Sequence, residues 1–123
     1  MQTHTPQLAM ITLDCADPEP VSRFWSELLG WQRVYLDENA AMLQGPDQAI
    51  GFGRVANYAA PVWPNERGSK QFHFDVAVDD ISAAAQYCIE LGAHRPVEQP
   101  GDTWVVLIDP AGHPFCLTDA ANW

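Results

Sequence analysis

From residue 8 to residue 15 the run Leu-Ala-Met-Ile-Thr-Leu-Asp-Cys alternates well enough to predict a strand with one face on a core. Asp17-Pro18-Glu19-Pro20 then opens a helix. Asp17 is its N-cap, and prolines are tolerated in a first turn whose amides have no intrahelical partner. Val21, Phe24, Trp25, Leu28 and Leu29 recur at helical spacing, and Gly30 can end the helix in a left-handed conformation. Three short strands are predicted next, near 32–37, 40–44 and 49–55, with turns at Asp37-Glu38-Asn39 and Gly45-Pro46-Asp47. This half reads βαβββ.

The second half repeats the pattern. Residues 72–78 predict a strand, Asp79-Asp80 caps a helix, and Ile81, Ala84, Ala85, Cys88 and Leu91 make its apolar stripe up to Gly92. Strands follow near 93–98, 103–108 and 114–118, with turns at Pro100-Gly101-Asp102 and Asp109-Pro110-Ala111-Gly112. Asp17 and Asp80, Gly30 and Gly92, and Pro46 and Pro110 lie at nearly constant separation, the mark of a duplicated supersecondary unit. The expected organisation is one domain over residues 1–123, built from modules 8–55 and 71–118. Segment 56–70 between them is long for a connection and is either a linker or a functional flap.

A chain of 123 residues can bury a core large enough to need no disulfide or metal staple. Cys15, Cys88 and Cys116 form no paired motif, which suits reduced thiols and excludes an all-cysteine metal site. No apolar run reaches the length of a transmembrane helix and no basic, apolar leader opens the sequence, so a cytoplasmic location without membrane contact is expected. Sixteen acidic against six basic residues give a net charge of −10, which repels phosphate backbones and argues against nucleic acid. The same field favours a cationic ligand, although acidic surfaces also serve solubility.

The motifs resemble those of the vicinal oxygen chelate superfamily, the glyoxalase/bleomycin-resistance/dioxygenase group. The carriers run from Asp17 through Phe24-Trp25 to Leu28-Leu29-Gly30-Trp31, then Phe72-His73-Phe74-Asp75-Val76-Ala77-Val78-Asp79-Asp80. The third is Trp104-Val105-Val106-Leu107-Ile108-Asp109-Pro110-Ala111-Gly112-His113-Pro114-Phe115-Cys116. Pro61-Val62-Trp63-Pro64 resembles a glyoxalase-like branch of the group. The resemblance implies an α+β fold of two βαβββ modules forming a curled, cup-like mixed sheet around a ligand site. Fold alone does not decide chemistry.

The resemblance also implies where a metal would sit. Family enzymes hold a divalent ion (Zn, Fe, Mn, Ni or Co) with one side chain, His or Glu, from the first and last strand of each module. Counting from the helix-capping aspartates, the first-strand positions are Met10 and His73. The last-strand positions are Cys116 and its repeat partner Phe52, or Gly53 if the register slips. That set makes no hard-metal site, so no cofactor is expected and His73 is the one retained family-type ligand.

Strand alternation places His73, Asp75 and Ala77 on one face, with Phe72, Phe74, Val76 and Val78 packed under the helices. A carboxylate beside an imidazole can orient it as a general base, so His73 and Asp75 are the candidate catalytic pair. The alternative is that His73 only hydrogen-bonds within a polar cavity. Met10, Thr12 and Cys116 are expected to line the ligand site, with Phe52, Trp63 and Trp104 as aromatic wall or rim. Cys116 reads otherwise as a small buried apolar residue without an activating base. The expected function is binding, with or without turnover, of a small organic molecule by a homodimer without the usual metal. Two alternatives stand beside it: sequestration of a cationic molecule, as in bleomycin-resistance proteins, and metal-dependent lyase or dioxygenase chemistry.

Overall fold

In the computed structural model, which describes residues 5–123, the chain divides into two units, Met1–Tyr58 and Ala59–Trp123. The first contains β1 (Ile11–Cys15), α1 (Pro18–Leu29), β2 (Gln32–Leu36), β3 (Ala40–Gln44) and β4 (Ala49–Arg54). Asp17 caps α1 by accepting from the Glu19 amide, and Gly30, at φ 68°, closes it by donating to the Ser26 carbonyl. The sheet order is β1-β4-β3-β2, with β1 parallel to β4 and the other pairs antiparallel. Val21, Phe24 and Trp25 of α1 are buried together with Leu43, Ile50 and Phe52 of the sheet. Phe24 and Trp25 meet edge to face at 5.2 Å.

The second unit contains β5 (Phe74–Val78), α2 (Ile81–Leu91), β6 (Val105–Ile108), β7 (Pro114–Asp119) and a short 3-10 turn, η1 (Ala120–Asn122). Its order is β5-β7-β6, again with the first strand parallel to the last. The architecture is therefore α+β, two modules on the βαβββ plan, each with a small mixed sheet of four strands in the first and three in the second. The strand predicted near 93–98 shrinks to one bridge, His94 to Ile108. Pro96 and Pro100 lack the amide a ladder needs. The Gln99 side chain takes over instead: its Nε2 donates to the Val106 carbonyl at 3.0 Å, and the Val106 amide donates to its Oε1 at 2.8 Å.

One further expectation changes. Phe72 is fully exposed rather than packed under a helix, because the β5 ladder begins only at Phe74 and Gln71, at φ 58°, turns the chain just before it. Residues from Ala59 onward group with the second unit. There Ala60 lies against Gly112, where an added Cβ would come within 2.4 Å of the Ala60 Cβ. Among the described residues no helix is long and apolar enough to cross a membrane.

Candidate functional site

The approach to β5 is pinned by one side chain. Asn65 Nδ2 donates to the Val62 and Ser69 carbonyls at 2.9 and 2.8 Å, while its Oδ1 accepts from the Arg67 and Ser69 amides at 3.0 and 3.1 Å. All four of its polar capacities hold the loop, which fixes the backbone that leads to Lys70 and His73. The Trp63–Pro64 peptide in this loop is cis.

Within β5 the side chains alternate as the pleat requires: Asp75 and Ala77 are exposed, whereas Phe74, Val76 and Val78 are half-buried. His73, one residue before the strand, keeps to the face of Asp75, and its Nε2 lies 3.4 Å from Asp75 Oδ1. The His73 Nδ1 lies 3.2 Å from the Gln71 carbonyl, which can only accept, so that nitrogen carries a proton. Nε2 is therefore the nitrogen presented to Asp75 and to anything bound beside it.

Cys116 of β7 stands opposite Asp75 in the parallel register. It is buried, and burial first, then the charge and the hydrogen bond of Asp75, push its thiol up to about 11. Lys70 acts in the other direction. At neutral pH Cys116 is a thiol, not a nucleophilic thiolate.

A nitrogen of His73, a carboxylate oxygen of Asp75 and Cys116 Sγ lie within 4.8 Å of one another. These donors nevertheless do not fit the His/Glu set that the resemblance implies for a divalent metal. A buried thiol stands where that set has a carboxylate, and the Lys70 ammonium acts on it from nearby. In the first unit the last-strand position paired with Thr12 is Gly51, not Phe52. A Cβ on Gly51 would come 2.9 Å from Met10 Sδ and 3.0 Å from Thr12 Oγ1, so a thioether and a hydroxyl fill the place of a carboxylate.

Met10, Thr12 and Gly51 thus share one face of the first sheet, and His73, Asp75 and Cys116 share one face of the second. Phe52 is corrected to the opposite face, where it is 1% exposed among the side chains under α1. Its register partner is Leu13, not Thr12, because the turn between β3 and β4 is one residue shorter than that between β6 and β7. Trp104 packs on Gly101, where a Cβ would collide with its ring at 2.4 Å. Trp63 lies under Lys70, whose Nζ is 6.0 Å from the ring centroid. Sequence reasoning passed over Lys70. The available signal was its singularity, since it is the one lysine in the chain.

Residues 10–118 match the family model described as Glyoxalase-like domain. No curated protein is similar enough to the chain to count as a match. Among solved structures, a glyoxalase-related enzyme from Fulvimarina pelagi is 21% identical at a TM-score of 0.67, covering 97% of this chain and 91% of its own. A glyoxalase/bleomycin resistance protein/dioxygenase family enzyme from Burkholderia phytofirmans PsJN is 16% identical at 0.69, covering 91% and 97%. The trypanothione-dependent glyoxalase I of Leishmania major is 12% identical at 0.65, covering 96% and 89%. At these identities the likeness to the solved structures is one of fold.

Proposed function

The chain belongs to the glyoxalase-like domain family, and on that premise we propose that it binds a small organic molecule on the His73–Asp75 face of its second unit, without the family's usual metal. One observation carries the reading: an imidazole and a carboxylate 3.4 Å apart project from the same face beside β7. Polar pairs of this kind, set in mostly apolar surroundings, fix the orientation of small ligands. With the Nδ1 proton donated to the Gln71 carbonyl, Nε2 pairs with Asp75 when the ring is charged and accepts a proton from a bound molecule when it is neutral. Proton transfer at Nε2 is the chemistry this site offers if the ligand is also turned over. The acidic surface supports a second reading, sequestration of a cation without chemistry. A two-fold homodimer belongs to the same proposal, and light scattering tests it against the 13.6 kDa chain.

Screening small aromatic and aliphatic compounds by chemical-shift mapping tests the site. Ligands are expected to perturb His73, Asp75, Ala77 and Cys116 together. Binding that maps only to α2 or to the solvent side of the other strands overturns the proposal.

A further inference from the structure

Two donors of the second unit find no acceptor among the described residues. The Trp63 indole N–H is buried and, among the described residues, meets no acceptor. A buried donor left unmade is costly, so it calls for an oxygen that the chain itself does not supply. The second group is Lys70. Its ammonium lies over the same indole ring at 6.0 Å from the centroid and makes no ion pair among the described residues.

The surroundings sharpen the contrast. Sixteen acidic side chains serve this chain, yet its single lysine sits half-buried without any of them. Arg23 and Arg33 both engage Glu19. Asp75, the carboxylate that shares this face, lies against His73. One carboxylate can serve both donors, because each of its two oxygens accepts a hydrogen bond and the ammonium stands over the ring that carries the indole N–H. A flexible four-carbon stem over the ring can swing to admit such a group, whereas the backbone beneath it is held by Asn65.

We propose that the ligand of this site carries an anionic carboxylate group, received by the Lys70 ammonium and the Trp63 indole N–H beside the His73–Asp75 pair. This names the ligand class for the site proposed above and rests on that reading. It runs against the charge of the whole protein: the net field is negative, but the two uncommitted donors here select for an anion.

The test uses three probes that share one ring: benzoate, benzamide and benzylammonium. Each is titrated into the full chain while the Trp63 indole N–H resonance, assigned with Trp63→Phe, is followed. Benzoate is expected to move that resonance saturably and to bind about five-fold or more tightly than benzamide. Lys70→Met should weaken benzoate by about five-fold or more and leave benzamide unchanged, while Lys70→Arg should retain most of the preference. Equal binding of benzoate and benzamide, preference for benzylammonium, undiminished benzoate binding by Lys70→Met, or no saturable shift with benzoate each overturns the assignment. If benzamide or benzylammonium binds the His73 face and loses affinity in His73→Ala, the small-molecule site stands and only the anionic ligand class falls.

Discussion

Asp75 and Cys116 are register partners across β5 and β7, and the carboxylate sets its charge against the thiolate. The pair makes Cys116 a quiet residue despite its place in the site. Peptide-resolved alkylation at neutral pH should label Cys116 slowly, and Asp75→Asn should speed it by removing the opposing charge. Rapid labelling of the native chain would contradict this arrangement.

The same thiols set an alkaline limit on stability. Cys116 and Cys88 are both raised from 9.0 to about 11, each chiefly by burial. An unfolded thiol ionises first, so the unfolded state gains above pH 9 and the native state loses stability until the folded pKa is passed. Urea midpoints should fall between pH 9 and 11 and level off above. Cys88→Ala should flatten that fall, whatever its effect on the neutral value. A profile unchanged from pH 8 to 11 would refute the assignment.

Gln99 acts as a stand-in strand, and its removal should be felt in β6. Val106 is fully buried, so Gln99→Ala strands both an amide and a carbonyl. The expected loss is about 1–3 kcal/mol in urea unfolding, the cost of buried polar groups left unmade. A loss within experimental error would mean that water replaces the side chain.

Elemental analysis of untagged protein should find less than one Zn, Fe, Mn, Ni or Co per chain after mild purification. The donor set beside Lys70 is the reason. One metal per chain, lost in His73→Ala, would overturn the metal-free reading.

Much of this architecture was legible from residue order. Asp17, Gly30, Asp80 and Gly92 mark both helices because caps are local, and β3 falls on the predicted residues 40–44. The face of His73 and Asp75 followed from the period of a strand. What failed depended on pairing rather than pattern. Phe52 was counted onto the wrong face because one extra turn residue in the second module shifts the repeat, and a one-residue slip exchanges the faces. Phe72 is apolar and looks like strand, but a ladder that starts at Phe74 gives it nothing to pack on. Lys70 and Trp63 come together only through a loop held by Asn65, a relation with no periodicity to betray it.

The most direct test of the account is calorimetric titration of a ligand mapped to the second unit's face into the native chain and His73→Ala, with folding checked by circular dichroism. Losing the imidazole leaves Asp75 and the ligand each short of a polar contact. The variant should bind more weakly by ~1–3 kcal/mol, about five-fold at the least. Equal affinity for a ligand that demonstrably contacts this face would make His73 a structural residue and contradict the central claim.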